Sequence, residues 1–257
     1  MVKIERRGTS VWIILDRPDV RNALSAELMR KAGSALNEGV QDDSVRTIVI
    51  TGAGSVFSAG ADLREMKAMR DASFGANVDN ALELSGFFYA IASSPKPVVA
   101  RVNGRAIAGA LGIVSACDVA IAVGGVTFAF TESRLGIVPA MISPFVIRRI
   151  GAARAQRLFL TGESFSAEEA ARIGLVDRVV APAELDQAVE AVCVDLTRAA
   201  PGALAEVKQL IARIGSGFSE SDRRYTAEMI ARLRAGAEGQ EGMAAFLEKR
   251  KPHWAPK

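Results

Sequence analysis

The chain of 257 residues contains one histidine, His253, in the basic tail KRKPHWAPK. A Ser-His-Asp relay or a histidine-ligated zinc would have to recruit that single tail residue. General acid–base work therefore falls to carboxylates, tyrosines or lysines. One carboxylate stands out by its surroundings. Glu132 follows Phe128, Ala129, Phe130 and Thr131 in FAFTESRLGIVP. A carboxylate at the end of a buried strand is unfavourable unless it is paired or used. It is expected either to pair with Arg134 or another arginine, or to act as a general acid/base whose pKa is raised by burial. Two other stretches have little side-chain cover. In FSAGADL, Ala59 and Ala61 flank Gly60. In NGRAIAGALGIVSACD, Ala108, Gly109 and Ala110 precede Leu111 and Gly112. Each stretch is either a tight strand-to-helix connection or a place where backbone N–H groups point at a ligand oxygen. Two such loops, each donating one N–H, supply what an oxyanion hole needs. A helix opening at Gly109 would add its dipole and the free N–H groups of its first turn.

Other signals resolve into structure. IVITGAGSVF has Gly52 and Gly54 after a strand, but Phe57 replaces the third glycine of a dinucleotide fingerprint, and no helix pattern opens at once. Asp118 ends the small-residue helix, a poor electrostatic place for an acid, so a backbone N–H or a basic partner is expected. The EKRK cluster at 248–251 is either a solvated tail or a phosphate contact. Cys117 and Cys193 have no motif spacing and are expected to be two buried thiols. The excess of 32 Lys and Arg over 29 Asp and Glu is slight. It suits an anionic small ligand and does not argue for nucleic acid. The opening MVKIERRGTS is charged, without the apolar core of a signal peptide, and the apolar runs at 106–117 and 136–147 are too short to span a bilayer. The expectation is a soluble, cytoplasmic protein.

The elements that must position these residues follow from periodicity. SVWIILDRP alternates as a strand, and Ser25 caps a helix carrying Leu28, Met29, Ala32, Leu36 and Val40. VRTIVITGAG is a strand entering a glycine turn. Residues 62–69 form a short helix, 70–79 a mobile loop, and 81–94 a further helix. VVARV, DVAIAV, VTFAF and LVDRVV are strands. The helix at 109–117 lies between the first two, and 144–150 and 152–160 are helical. Ser166 and Glu169 form a capping box. Helices are expected at 183–197, 203–214, 219–234 and 240–250. Strands alternating with helices, then an all-helical third, indicate an α/β fold with a helical C-terminal part.

In order and spacing, LDRPDVRNAL, FSAGADL, KPVVARVNGRAIAGALGIVSACDVAIA, FAFTESRLGIVP, LTGESFSAEEAARIGLVDRVV and EGMAAFLEKRK resemble the enoyl-CoA hydratase/isomerase, or crotonase, family over almost the whole chain. The resemblance implies the crotonase (ClpP/crotonase-like) spiral of ββα units over residues 1–195. A C-terminal helical trimerisation region would cover 196–257, in a homotrimer or dimer of trimers. It implies an acyl-CoA thioester as substrate, with coenzyme A part of that substrate and no separate cofactor or metal. The Ala61 and Gly109 N–H groups would hold the thioester oxygen, with Glu132 as acid/base. Ala59, Ala61, Asp62 and Leu63 would offer backbone contacts to adenine, Arg21 would lie near the pantetheine or phosphates, and Lys249 would reach a phosphate. Family members that hydrate enoyl-CoA have a second glutamate where this chain has Gly112. A second acid from Asp71, Asp79 or Glu83 is one expectation. A double-bond isomerase working with one shuttling carboxylate is the close rival of a hydratase, and a non-catalytic acyl-CoA-binding member is the third reading. AGALGI and PAMIS resemble the branch acting on branched or carboxylated enoyl-CoAs such as methylglutaconyl-CoA, for which Arg105 or Arg134 could meet a substrate carboxylate.

Overall fold

Several strands carry Val, Ile and Ala at successive positions, the mark of a parallel sheet covered on both faces. The computed structural model describes residues 1–214 and 220–255. The strands are β1 (Val2–Arg7), β2 (Ser10–Leu15), β3 (Thr47–Gly52), β4 (Val56–Ser58), β5 (Val98–Val102), β6 (Arg105–Ile107), β7 (Val119–Val123), β8 (Thr127–Ala129), β9 (Ser164–Ser166) and β10 (Arg178–Val180). One sheet has the order β1-β2-β3-β5-β7-β10, the other β4-β6-β8-β9. From β2 to β10 the first sheet is parallel, and β1 pairs antiparallel at its edge. The pairs β3/β4, β5/β6 and β7/β8 each give one strand to either sheet before the chain returns through helices. This is the expected ββα spiral.

The helices are α1 (Ala26–Gln41), α2 (Leu63–Ala68), α3 (Phe74–Ser93), α4 (Gly109–Ala116), α5 (Ser143–Ile150), α6 (Ala152–Thr161), α7 (Ala167–Arg172), α8 (Leu185–Thr197), α9 (Pro201–Ile214), α10 (Glu220–Ala235) and α11 (Ala237–Leu247). Alternate residues of the large sheet feed two cores. Ile13, Ile48, Ile50, Val98 and Ala100 face the main one, with α1, α3 and α4. Trp12, Val49, Val99 and Ile121 face α8 through Leu185, Val189 and Cys193. Ser25 caps α1, accepting from the Leu28 N–H at 3.1 Å. Asp118 accepts from the Val98 N–H at 2.8 Å and from Lys208 Nζ at 2.6 Å, which gives it the structural partners expected. Both cysteines are buried and free. Burial pushes the Cys193 thiol up to about 11 and Cys117 higher still.

The charged opening forms strand β1. Two expectations are corrected. Residues 70–79 are not a loop: a short 3-10 turn at Met69–Asp71 leads into α3, which starts at Phe74. Ser73 caps it, accepting from the Ala76 N–H at 3.2 Å, while Phe74 and Val78 face outward, so no apolar stripe announces these turns. The capping box is half formed. Ser166 accepts from the Glu169 N–H, but the Glu169 carboxylate pairs with Arg172 and Arg157. The helix expected from 219 is described from Glu220, with residue 219 outside the described residues.

Candidate active site

The two small-residue loops meet, and glycine is what lets them. Gly60 has φ +88°, and a Cβ there would stand 2.6 Å from the Ile107 carbonyl oxygen and 3.1 Å from the Ala108 Cβ. No L side chain fits that approach without movement. Across the contact, Ala108 takes φ 52° and ψ −120°, a conformation natural to glycine and costing an alanine on the order of 1–3 kcal/mol. Its N–H is fixed to the Ala129 carbonyl at 2.9 Å. The strained residue turns the chain so that α4 opens at Gly109. On the facing loop, Leu24 brackets Ala61. Its N–H donates to the Gly60 carbonyl at 2.8 Å, and its carbonyl accepts from the Asp62 N–H at 3.1 Å. The Ala61 nitrogen lies 3.9 Å from the place a Gly109 Cβ would occupy. Among the described residues, neither the Ala61 nor the Gly109 N–H donates to a protein acceptor. Two free backbone donors thus stand side by side, one at a helix N-terminus.

They open into a cavity of about 700 Å³ that Glu132 also lines. Glu132 begins a 3-10 turn ending at Leu135, with Gly136 as its left-handed cap. The side chain is buried, and its Oε2 has no hydrogen-bond partner among the described residues. Burial raises its pKa, while a bond from its own backbone N–H opposes the rise. The ion-pair reading fails. Arg134 instead reaches the Thr161 carbonyl at 3.4 Å and lies against Gly162. No described lysine or arginine pairs with Glu132.

Gly112, the position at which the resemblance implies a second glutamate, has no room for a side chain. A Cβ on Gly112 would stand 2.3 Å from Ile142 Cγ2 and 3.0 Å from Phe88 Cε1. Ile142 is the last residue before α5, and Phe88 belongs to α3. Asp71, Asp79 and Glu83 do not line the cavity, so none supplies the second acid. The carboxylates that do are Asp19, Asp62, Glu65 and Glu132. Glu65 accepts from the Ala26 N–H at 2.8 Å. Asp62 caps α2, accepting from the Arg64 N–H at 3.1 Å, and pairs with Arg17 at 2.9 Å. Burial alone would raise the Asp62 pKa, but the Arg17 bond and the cap hold it below the ordinary value. Asp19 is exposed at the mouth. Only Glu132 is buried and unpaired.

Of the residues expected to hold coenzyme A, Arg21, Ala59, Ala61, Asp62 and Leu63 line this cavity. The Ala59 N–H is already given to the Arg21 carbonyl at 2.9 Å and that of Asp62 to Leu24; the Asp62 carbonyl accepts from the Met66 N–H at 3.1 Å, so of these two Ala59 presents its carbonyl. Arg21 is exposed, in the left-handed region at φ 54°. Lys249 does not line the cavity of its own chain. It lies exposed past α11, with φ 54°. Arg134 lies outside the cavity, and Arg105 lines a separate surface hollow beside Arg21, so neither meets an acyl group bound in the cavity. Sequence reasoning missed Arg17, Asn22 and Ile142. Asn22, fully buried at φ 54°, donates to the Ala53 and Val56 carbonyls and accepts from the Arg17 N–H. A polar Arg-Asn pair ahead of the Ser25 cap was the available signal.

Comparison with known proteins places this geometry. A family profile described as Enoyl-CoA hydratase/isomerase matches residues 5–257. A protein named Short-chain-enoyl-CoA hydratase from Clostridium acetobutylicum is 32% identical over 258 residues, covering 97% of this chain and 95% of its own. A crystal structure of an enoyl-CoA hydratase from Shewanella pealeana superposes with a TM-score of 0.95 at 33% identity, covering 98% of this chain and 95% of the other. Pseudomonas aeruginosa AtuE superposes at 0.94 with 37% identity, covering 99% of both chains.

Proposed function

The chain belongs to the enoyl-CoA hydratase/isomerase family, and from that membership we propose that it is an enoyl-CoA hydratase working with one carboxylate. The observation that carries this is the buried, unpaired Glu132 in the same cavity as the free N–H groups of Ala61 and Gly109. The thioester oxygen accepts from both N–H groups. Glu132 takes a proton from water as its oxygen bonds to Cβ. The double-bond electrons move onto the thioester oxygen as an enolate, which collapses as protonated Glu132 returns the proton to Cα. The product carries one added water. Each hole donor is worth about 3–4 kcal/mol in the transition state, where the oxygen's charge develops. A pKa raised by burial suits a carboxylate that must both accept and release this proton. The chemistry moves one proton and one water, so coenzyme A enters only as part of the substrate.

An isomerase would use the same Glu132 to move a proton from Cγ to Cα. The hydratase names of the relatives above favour hydration. Apolar residues exposed on the C-terminal helices, among them Ile211, Phe246 and Leu247, support assembly as a homotrimer or dimer of trimers. In such an assembly Lys249 could serve a neighbouring site. No helix among the described residues is long and apolar enough to cross a membrane, in keeping with a cytoplasmic enzyme. The test is incubation with crotonyl-CoA, a 3-enoyl-CoA and 3-methylglutaconyl-CoA, with products read by mass spectrometry. A gain of one water that Glu132→Gln abolishes is expected. A double-bond shift at constant mass would make the protein an isomerase, and turnover persisting in Glu132→Gln would remove the assigned acid/base.

A further inference from the structure

Helix α3 forms one wall of the cavity, and its lining residues change character along its length. Asn77, Asn80, Ala81, Leu84 and Phe88 share one face, at the spacing of successive helical turns. Phe88 stands at the chemical end, against Gly112, which lies one turn along α4 from Gly109. Asn80 is eight residues earlier, about 12 Å away along the helix axis. The wall therefore runs from aromatic and aliphatic beside the hole to amide at the far end.

The two amides differ. Asn77 Nδ2 donates to the carbonyls of Met69, Ala72 and Ser73 at 3.3, 3.2 and 3.1 Å, stitching the turn before α3. Asn80 has no such duty. It is half-buried in the seventh position of α3, and its side chain makes no hydrogen bond among the described residues. Asparagine is a poor helix former away from a cap. An amide offers donors and an acceptor together. In a mainly apolar cavity, a few such groups fix the orientation of the ligand.

We propose that Asn80 is a specificity-determining residue, reading a neutral hydrogen-bonding group, such as a hydroxyl, near the far end of the acyl chain. The inference rests on the acyl-CoA reading of the cavity. At roughly 1.3 Å advance per carbon–carbon bond in an extended chain, 12 Å corresponds to an acyl group of roughly ten carbons. A carboxylate is a poorer match, because it can accept but not donate.

The experiment measures binding, not turnover. Two saturated ten-carbon acyl-CoAs, one with a terminal hydroxyl and one without, are titrated calorimetrically into the wild-type protein, Asn80→Leu and Asn80→Gln. Leucine favours the helix, so the fold should be kept. One hydrogen bond is worth about three- to tenfold in affinity. The wild type should bind the hydroxylated chain at least threefold more tightly, Asn80→Leu should reverse the order, and Asn80→Gln, which keeps the amide, should hold it. The same affinity ratio in wild type and Asn80→Leu would overturn the role of Asn80 while leaving the acyl-CoA site standing. Failure of both ligands to bind the wild type would overturn the acyl-CoA reading, and the inference with it.

Discussion

The packing around Gly112 allows a quantitative test of why this site has one carboxylate. A Cβ added there lands 2.3 Å from Ile142 Cγ2, whereas carbon atoms in good contact sit about 3.5–4.0 Å apart. Overpacking of this kind costs about 1–3 kcal/mol. Against it, replacing glycine by alanine within α4 gains about 1 kcal/mol in helix propensity. Gly112→Ala should therefore destabilise by up to about 2 kcal/mol. Ile142→Ala, which empties a fully packed position, should cost about 2–5 kcal/mol. In that background the offending Cγ2 is gone, and the new methyl partly fills the space left. The contact with Phe88 Cε1 at 3.0 Å remains and must yield slightly. Gly112→Ala should then be neutral or stabilising by about 1 kcal/mol, giving a coupling of about 2 kcal/mol between the two sites. Urea unfolding of the four proteins at one protein concentration measures it. Additivity within about 0.5 kcal/mol would refute the argument that Ile142 occupies the second acid's place. By the same geometry, Gly112→Glu alone should unfold or inactivate the protein, and only its combination with Ile142→Ala could seat a second carboxylate.

Three further outcomes are expected. Because burial raises the Glu132 pKa, the native state binds more protons than the unfolded chain between the ordinary value near 4.5 and the raised one, so stability falls as pH rises through that window. Glu132→Gln should flatten that slope in pH-dependent thermal melts and stabilise at neutral pH by about 1–3 kcal/mol, while activity is lost. In wild type the acid limb of kcat/KM should lie above the ordinary glutamate range, and a limb at or below 4.5 would contradict the assigned burial. Gly109→Ala should fold, since its methyl meets Leu24 Cδ1 at an ordinary 3.4 Å, but the methyl stands over the Ala61 nitrogen and should lower kcat/KM about 100- to 1,000-fold with far-UV circular dichroism unchanged. Gly60→Ala should cost more than 2 kcal/mol in denaturant unfolding, because it meets both a positive φ and the Ile107 carbonyl.

Much of this site was legible because its chemistry leaves compositional traces. A chain with one tail histidine directs attention to carboxylates, and an acid after Phe128, Ala129 and Phe130 is conspicuous. Two loops stripped to glycine and alanine announce a close approach, though only the structure tells which atoms meet: the Gly60 loop against Ile107 and Ala108. Where the readings failed, the deciding contact was non-local or the local pattern was weak. Ile142 lies thirty residues beyond Gly112 and looks like any core isoleucine. The first turns of α3 turn Phe74 and Val78 outward, so periodicity could not distinguish them from a loop. The Arg134 pairing was plausible from its nearness to Glu132, but the 3-10 turn carries the two side chains apart, one into the cavity and the other to Thr161.

Two unfavourable elements of the fold meet at this one place. Ala108 is held at a positive φ, and Glu132 is buried without a partner. Each opposes folding by an amount comparable to a sizeable part of ordinary net stability. Both could be relieved by small changes, glycine at 108 or glutamine at 132, that leave their surroundings intact. Neighbouring acids show how readily relief is available, since Asp62 has Arg17 and an N-cap, and Glu65 has the start of α1. A chain that gives Asp62 and Glu65 partners but leaves the most buried carboxylate of the cavity wall unsatisfied, in one cavity with two unsatisfied N–H groups, is arranged for a ligand that brings an oxygen to the donors and a transferable proton to the acid. An α,β-unsaturated thioester with its water does both.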